Sequence, residues 1–399
     1  MSTRPGRSLL ERLRPAGWGN TDVVTAGTQQ REPDAPPPVP PLAAADLDRL
    51  RTAVSEALGT FLDGQREVLA GMDASLVPVV DEVCALAGGG KRLRPAFAYW
   101  GWRAARGATA PVEDETAVLR AVAALEFVHA SALVHDDVMD GARTRRGRPA
   151  THVGFAARHV GDGLTGDDAQ FGTGAAILVG DLALVWSDEL LRTAGLSTAA
   201  LQRARAVWDT MRTEVTAGQY LDLLRAAGGL PGPDGALRVA RYKSAGYTVQ
   251  RPLQLGAAIA GAAADVIESC TAIGLPLGEA FQLRDDVLGV FGDPSVTGKS
   301  ADDDLREGKQ TLLIALAEEV TDDAGRRLLQ ECLGNADCGP EEFDALRRLL
   351  ESTGARTRVE DRIAEQTARA RAAIATAPIA DDARTALDAL AVAATFRTA

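Results

Sequence analysis

The chain has 399 residues, of which 46% are hydrophobic, and its formal net charge is −12. The apolar share is ample for a sizeable core, and abundant Ala, Leu and Arg with only 5% aromatic residues favour helices over sheets. The acidic balance argues against binding a nucleic acid through bulk charge. Any phosphate ligand must therefore be held by local basic clusters or by metal ions.

The cysteines and the apolar segments indicate where the protein works. Cys84, Cys270, Cys332 and Cys338 are scattered along the chain, as in proteins of a reducing compartment. No apolar run approaches the ~18 residues that a membrane helix needs, and the N-terminal segment lacks the apolar core of a secretory signal. We therefore predict a cytoplasmic protein with no membrane span.

Residues 1–45 differ in composition from the rest of the chain. They contain the Pro-rich run 36–41, several Gly and Thr, and no sustained apolar period. Such a segment buries too little apolar surface to offset the entropy that is lost on ordering. We predict a disordered extension at 1–45, followed by one all-α domain at 46–399.

Helical periodicity begins after this extension. Leu47, Leu50, Val54 and Leu58 fall on one helical stripe, and the segment 116–140 is apolar nearly all round until its last turn. A helix that is apolar on every side indicates burial inside a bundle. Further helices are predicted at 174–194, 199–226, 236–250, 252–264, 269–291, 309–320, 323–333, 340–353 and 358–376.

A glycine-rich basic segment, GGGKRLRP, occupies residues 88–95. Lys91 and Arg94 are three residues apart and project together in helical geometry, while the glycines let the backbone approach a ligand closely. An ammonium group beside a forked guanidinium suits a diphosphate. A helix that ends at glycine and continues into a basic loop has the same residues, so this motif alone does not decide between the two.

The first acidic motif, HDDVMD at 135–140, ends the long apolar helix. Asp136 and Asp140 are one turn apart, so their carboxylates lie on one face, with Asp137 adjacent. Clustered carboxylates repel one another unless a cation holds them ionised, and hard oxygen ligands suit Mg²⁺ completed by substrate phosphates. A solvated helix end would contain similar residues, but the end of a buried helix favours a functional site.

Basic residues lie on both sides of this motif. The segment RTRRGRP follows it at 143–149, and a phosphate that bridges arginines and metal-loaded carboxylates explains this position better than mutual neutralisation on a surface. His129 lies seven residues before Asp136, on the same helix face and two turns deeper. A lone His on an apolar helix is usually a core residue, so His129 alone does not indicate a site.

The second acidic motif, FQLRDDVLG at 281–289, also ends a predicted helix. It contains Asp285 and Asp286, and Asp293 lies two turns beyond them if the helix continues. One acidic pair is weak support for a site. Two such motifs at the ends of buried helices predict a metal cluster held between them.

Together these motifs resemble the trans-polyprenyl diphosphate synthases, the family of the farnesyl and geranylgeranyl diphosphate synthases, over residues 46–399. The resemblance implies a single large antiparallel helix bundle with a central apolar cavity. It also implies an enzyme that joins isopentenyl diphosphate head-to-tail onto an allylic diphosphate, with Mg²⁺ as the cofactor. The family further suggests a homodimer.

The resemblance also implies roles for individual residues. The implied metal ligands are Asp136, Asp137, Asp140, Asp285 and Asp286. The implied isopentenyl diphosphate site is formed by Lys91, Arg94 and His129. The residues implied at the allylic diphosphate are Arg145, Arg146, Lys243 and Lys299, and Gln219 and Asp222 are implied near the metal and the substrate. Ser244, Gln282 and Lys309 are implied as further substrate-binding residues. The implied catalytic residues are Asp136, Asp137, Asp140, Lys243, Ser244, Gln282 and Asp285.

The second motif departs from the family pattern, because Gly289 stands where a third Asp is usual. If Asp285, Asp286 and Asp293 suffice as ligands, Gly289→Asp is expected to change activity little. The departure leaves open a non-catalytic partner subunit of an active synthase. A class I terpene cyclase is the other alternative, but it needs no isopentenyl diphosphate site.

The small side chains that precede the first acidic motif bear on the length of the product. In the family that this chain resembles, the growing product extends beside that motif. Ser131 and Ala132 are too small to stop it, and Phe127, a turn deeper, is either the lower stop or an ordinary core residue. We predict geranylgeranyl diphosphate as the product, with a longer polyprenyl product next and farnesyl diphosphate third.

Overall fold

The computed structural model describes residues 41–105, 112–293, 301–335 and 337–396. From Pro41 onward these residues belong to one compact unit, and their regular structure is helical apart from one two-stranded hairpin. The predicted all-α fold is therefore confirmed. The first helix begins at Pro41, ahead of the predicted domain start at residue 46, and the rest of the predicted extension lies outside the described residues.

The helices follow one another along the chain with short connections. They are α1 (Pro41–Met72), α2 (Val77–Ala87), α3 (Leu93–Ala104), α4 (Glu115–Met139), α5 (Thr151–Gly161), α6 (Asp168–Thr193), α7 (Thr198–Ala226), α8 (Gly232–Val239), α9 (Arg251–Ala260), α10 (Ala264–Phe291), α11 (Asp303–Arg306), α12 (Leu312–Val320), α13 (Asp323–Cys332), α14 (Pro340–Ser352), α15 (Ala355–Thr376) and α16 (Asp381–Thr395). The hairpin strands, β1 (Thr144–Arg145) and β2 (Arg148–Pro149), pair antiparallel. A π-helical segment (Ala240–Gln250) joins α8 directly to α9.

The predicted helices are found with ends that differ by a few residues, except that the predicted helix 236–250 is the end of α8 followed by the π-helical segment. The prediction omits α2, α3, α5 and α16, as well as the short α11. In α3, every residue from Pro95 to Trp102 is buried, so no amphipathic stripe marks the helix in the sequence. Helix α6 begins at Asp168, earlier than the predicted residue 174. The Asp167 side chain caps this end by accepting a 2.8 Å hydrogen bond from the Gln170 backbone N–H.

Helix α4 is the buried helix that the sequence predicts. Its buried residues extend from Ala117 to Asp137 and lie on every side of the helix, which packs against α1, α3 and, most extensively, α6. Because closely packed interiors resist displacement, the end of α4 is a rigid support. The first acidic motif is carried on that end.

Two helices are long and apolar enough to cross a membrane by length and composition alone, which corrects the expectation that none is. In α4, 72% of the apolar window is buried, and in α6 the buried share is 33%. Burial explains the composition of α4, because a core helix meets the same test as a membrane span. Most of the apolar window of α6 is not buried within the described chain.

The π-helical segment presents a wide turn of backbone to α7. In a π-helix each N–H reaches the carbonyl five residues back, and such segments are frequent at functional sites. Pro252, in the first turn of α9, cannot donate a backbone hydrogen bond, so the regular α-helical pattern is interrupted there. A Cβ on Gly218 of α7 would lie 2.3 Å from the Lys243 backbone nitrogen. The missing side chain therefore lets Lys243 approach α7 closely.

A second hydrophobic cluster forms where the end of α10 meets α12, α13, α14 and α15. It contains Leu283 and Val287 of α10 together with Leu305 and Phe343. Leu305 is 1% exposed and belongs to α11. Its burial holds the segment 301–311 beside the end of α10, which carries the second acidic motif.

Candidate active site

The first acidic motif is the centre of a polar network that joins three elements. Asp136 Oδ1, at the end of α4, accepts hydrogen bonds from Lys243 Nζ at 2.7 Å and from Gln219 Nε2 at 2.9 Å. Lys243 Nζ also donates to Asp222 Oδ2 at 2.5 Å. Gln219 and Asp222 belong to α7, and Lys243 belongs to the π-helical segment. The structure therefore brings together four residues that the sequence analysis assigned to one site.

Asp137 has a different environment from Asp136. Its side chain is 1% exposed, and its Oδ1 accepts hydrogen bonds from the Arg145 guanidinium, including one from Nε at 2.8 Å. Burial raises the pKa of Asp137, and Arg145 opposes that shift. The other oxygen, Oδ2, is buried without a hydrogen-bond partner, which is uncommon for a buried carboxylate. Asp137 thus holds Arg145 in place and retains one oxygen for a further polar contact.

The carboxyl groups of this motif influence each other's protonation. Burial alone would raise the pKa of Asp136, but the ammonium group of Lys243 overcomes this and holds it below the usual value. Burial, together with the charge of Asp136, raises the pKa of Asp140 to about 6. A cation near both groups would favour their ionised forms.

The second acidic motif lies on the last turns of α10. Gln282 Nε2 donates a 2.7 Å hydrogen bond to Asp286 Oδ1, and burial raises the pKa of Asp286 to about 7. The helix ends at Phe291, and Gly292 is extended with φ −73° and ψ 151°. Asp293 therefore does not lie on the helix face of Asp285 and Asp286. The sequence-based condition that the helix continues is not met.

Lys309 is held by two carboxylates beside the second acidic motif. Its Nζ pairs with Asp304 Oδ1 at 2.8 Å and with Glu307 Oε2 at 3.1 Å. Its positive charge also opposes the burial-driven rise of the pKa of both Asp140 and Asp286. These electrostatic effects support the predicted convergence of the two motifs on one metal cluster, which stays a prediction.

The two acidic motifs have the donor chemistry of a divalent cation site, although the described residues contain no group of three or more His, Cys, Asp and Glu side chains close enough to hold an ion by themselves. Mg²⁺ commonly takes only one or two carboxylates and completes its octahedron with water and phosphate oxygens. The arrangement therefore suits a cation that binds together with an anionic substrate.

A separate basic pocket surrounds His129. Arg94 Nη2 donates to Tyr247 Oη at 2.7 Å and to Thr248 Oγ1 at 3.1 Å, and its guanidinium lies 4.4 Å from the centre of the Tyr247 ring. Tyr247 Oη lies 3.3 Å from His129 Nδ1, and Arg146 Nη2 lies 3.5 Å from His129 Nε2. Sequence reasoning missed Tyr247 and Thr248. The turn geometry of the π-helical segment directs them here, and helical spacing gives no sign of it.

The glycine-rich segment forms one wall of this pocket. Arg146 Nη1 donates to the Leu86 carbonyl at 3.1 Å, and Cβ atoms added to Gly89 and Gly90 would lie 3.7 and 3.8 Å from its guanidinium. Burial and the charges of neighbouring arginines, with Arg94 first among them, lower the pKa of His129 well below its usual value. A neutral His among arginines indicates a pocket with excess positive charge, as an anion requires.

The other predicted residues differ in how exposed their side chains are. Lys91 is exposed at the start of the basic segment, and Ser244 is half-buried in the π-helical segment. Lys299 lies outside the described residues. Ser131 is 4% exposed and Phe127 is fully buried, and the Phe127 ring lies 5.4 Å from that of Phe61.

An all-helical bundle with acidic motifs at the ends of two helices and a separate arginine-rich pocket has features of a prenyltransferase that handles diphosphates. The sequence matches the polyprenyl synthetase family over residues 79–350, and the chain belongs to that family. The predicted family is therefore confirmed. The enzyme is a polyprenyl synthase that elongates prenyl chains.

Relatives of known product differ in the chain length that they make. The chain is 32% identical over 296 residues to the geranylfarnesyl diphosphate synthase of Aeropyrum pernix, which covers 73% of this chain and 85% of that protein. It is also 32% identical over 292 residues to the nonaprenyl diphosphate synthase of Mycobacterium tuberculosis (strain ATCC 25618 / H37Rv), covering 73% and 78%. These names establish the type of reaction and leave the product length open.

Solved structures show the same fold. The geranylgeranyl pyrophosphate synthase of Corynebacterium glutamicum, complexed with isoprenyl diphosphate and magnesium, is 40% identical and superimposes with a TM-score of 0.84. The match covers 88% of this chain and 99% of that one.

Proposed function

We propose that this enzyme condenses isopentenyl diphosphate head-to-tail with an allylic diphosphate, uses Mg²⁺, and releases geranylgeranyl diphosphate. The observation that carries the proposal is the presence of two distinct basic regions near each other. Lys243 pairs with Asp136 at the end of α4 and Lys309 pairs with Asp304 beside the end of α10, whereas Arg94 and Arg146 surround His129. Two diphosphates repel one another strongly at short range, so a condensing enzyme needs a separate holder for each.

The residues present fit a divalent cation at the acidic helix ends. Asp136 and Asp140 offer carboxylates from α4, Asp285 and Asp286 offer carboxylates from α10, and the buried Oδ2 of Asp137 has no other partner. Hard oxygen donors of this kind are the usual ligands of Mg²⁺. When bound, Mg²⁺ would supply positive charge that stabilises the allylic diphosphate as a leaving group.

The side chains around the acidic helix ends bind and orient the allylic diphosphate. Lys243, Lys309 and Arg145 place positive charge on its oxygens, and Asp137 fixes the guanidinium of Arg145 by two hydrogen bonds. Departure of the diphosphate leaves an allylic carbocation that survives only where water is excluded. The apolar bundle around α4 supplies that environment.

The second substrate is held in the basic pocket. Arg94, His129, Arg146 and the exposed Lys91 bind the isopentenyl diphosphate, and its double bond attacks the carbocation at short range. The contacts of Arg146 with His129 and with the Leu86 carbonyl support a role on this side, although the sequence grouped it with the allylic site. The released diphosphate takes the final proton, so no side chain is required as the general base.

This division of the site predicts opposite kinetic effects. Arg94→Ala and His129→Ala should mainly raise KM for isopentenyl diphosphate, whereas Lys243→Ala should mainly affect the allylic substrate. A charge-assisted hydrogen bond contributes about 1.5–3 kcal/mol, so each change should be roughly ten- to a hundredfold. Initial rates measured with each substrate varied in turn test the map. Equal effects of every variant on both substrates would contradict it.

The proposed product length rests on the side chains along α4 beside the acidic motif. Ser131 and Ala132 are small, and one turn deeper the ring of Phe127 packs against those of Phe61 and Trp186, with centroids 5.4 and 6.4 Å away. The three rings form a bulky layer across the interior between α1, α4 and α6. A growing chain that passes Ser131 would meet this layer next, which supports a product longer than farnesyl diphosphate.

Product analysis tests this part of the proposal. Purified enzyme with Mg²⁺, labelled isopentenyl diphosphate and each allylic primer should give geranylgeranyl diphosphate as the main product. Ser131→Phe should shorten the product by filling the path, and Phe127→Ala should lengthen it by opening the aromatic layer. Termination at farnesyl diphosphate by the unchanged enzyme, with isopentenyl diphosphate in excess, would overturn the assignment of Ser131 and Ala132.

The proposal also includes a cytoplasmic homodimer. The outward side of α6 carries apolar residues at seven-residue intervals, with Phe171 42%, Leu178 65% and Val185 61% exposed. An apolar stripe on one face of a long helix is normally covered by another element. A second copy of the same chain is the occupant we infer for it. Such a dimer would also account for the unburied apolar window of α6 without a membrane.

A further inference from the structure

Gly289 lies in the second acidic motif, at the position where the family pattern has an Asp. It is four residues after Asp285 and three after Asp286, so it shares their helix face. A Cβ built on Gly289 would lie 1.6 Å from Asp304 Oδ2 and 2.6 Å from Asp304 Cγ. Contacts this short do not occur between real atoms. The space that a side chain at 289 would fill is therefore occupied by the carboxylate of Asp304.

Asp304 reaches this position from a different part of the chain. It belongs to the short helix α11, which the buried Leu305 anchors against the second hydrophobic cluster. Asp304 is 6% exposed, and its Oδ1 accepts a 2.8 Å hydrogen bond from Lys309 Nζ. The Lys309 backbone N–H also donates to the Asp304 carbonyl at 3.1 Å, which closes the loop between them. The Asp304 carboxylate and the Lys309 ammonium group are thus held together beside α10.

We propose that Asp304 supplies the third carboxylate of the second acidic motif in this enzyme, and that Gly289 provides the space for it. In that position Asp304 orients the ammonium group of Lys309 beside the end of α10. Asp304 is thus a positioning residue for the diphosphate-binding Lys309. This inference rests on the proposed function, because it assigns a residue to the same site.

The inference reverses the expectation drawn from the sequence for Gly289. A glycine in place of an acidic ligand suggested that Gly289→Asp would change activity little. The geometry instead makes any side chain at 289 compete with a buried, ion-paired carboxylate. The departure from the family pattern is accordingly a relocation of the carboxylate, and the second motif retains its charge.

Four variants test the relocation. Gly289→Ala and Gly289→Asp should each lower kcat/KM for the allylic substrate at least tenfold, because the new side chain displaces Asp304. Asp304→Asn, which keeps the shape and removes the charge, should do the same. The double variant Gly289→Asp with Asp304→Ala should recover at least tenfold over Gly289→Asp alone. In the double variant, the Cβ at position 289 would lie 3.5 Å from the Cβ at position 304, which is an ordinary contact. The carboxylate is then carried by α10 without a clash.

Asp303→Asn is the matched control. Asp303 is the neighbour of Asp304, but it is 30% exposed and pairs with Arg306 at 3.4 Å on the surface of α11. A second readout avoids turnover altogether: the rise in melting temperature caused by Mg²⁺ with inorganic diphosphate. That rise should be reduced in Asp304→Asn and unchanged in Asp303→Asn.

The outcomes separate this inference from the proposed function. If Gly289→Ala and Asp304→Asn match the wild-type enzyme in both readouts, or if the double variant is no better than Gly289→Asp, the relocation is wrong. If the wild-type protein itself transfers no prenyl group and gains no stability from Mg²⁺ with diphosphate, the proposed function fails instead.

Discussion

Asp136→Asn should lower kcat by about two to three orders of magnitude, which is the loss typical when charge stabilisation in an active site is removed. Asp136 Oδ1 accepts hydrogen bonds from Lys243 and Gln219, and the asparagine oxygen can still accept both. The substitution therefore removes the negative charge with little change in shape. The melting temperature and the far-UV circular dichroism spectrum should remain close to those of the wild-type protein.

Removal of the metal is an independent test of the same requirement. EDTA should abolish turnover, and added Mg²⁺ should restore it in the wild-type enzyme but not in Asp136→Asn. Asp209→Asn is the control, because Asp209 is 58% exposed and pairs only three residues along its own helix, with Arg212 at 2.7 Å. Its activity should match the wild type. Full turnover in EDTA would eliminate the metal from the mechanism.

Sequence alone could place residues that share one helix. Asp136 and His129 are on α4 and Asp140 caps its C-terminal end, so the regular rise of the helix sets their relative positions before any packing is known. Burial of α4 was predictable as well, because its apolar residues face every direction. For such residues the local repeat determines the geometry, and the structure agrees with it.

Contacts between different helices could not be predicted from helical spacing. Tyr247 enters the basic pocket because its backbone is π-helical, and no spacing rule predicts which helices adopt that form. Asp304 reaches α10 because a hydrophobic cluster formed by later helices anchors α11. Arg146 has φ 53°, a left-handed conformation that is uncommon for a residue with a side chain. It turns the guanidinium towards His129, whereas the adjacent Arg145 faces Asp137.

A second large effect is expected at a buried ion pair behind the basic pocket. Arg92 Nη1 donates to Glu126 Oε2 at 2.6 Å, and the two side chains are 4% and 6% exposed. Arg92 also has φ 52° at the start of α3, two residues before Arg94. Glu126 lies on α4, three residues before His129. The pair therefore fastens the glycine-rich segment to the helix that carries His129.

Glu126→Gln should lower the free energy of unfolding by about 3–5 kcal/mol, because it leaves the Arg92 guanidinium buried without a counter-charge. It should also raise KM for isopentenyl diphosphate more than KM for the allylic substrate, since Arg94 and the adjacent loop lose their anchor. Chemical denaturation and substrate-resolved kinetics measure the two effects.

Glu351→Gln is the matched control for this pair. Glu351 and Arg356 form an ion pair at 2.7 Å, but the two side chains are 50% and 41% exposed. Solvent screens an exposed pair and hydrates whichever charge remains, so the control should lose little stability. The same substitution, Glu to Gln, is thus made at an exposed ion pair and at a buried one. If both variants lose equal stability, or if Glu126→Gln raises both KM values alike, the ion pair does not anchor the isopentenyl diphosphate pocket.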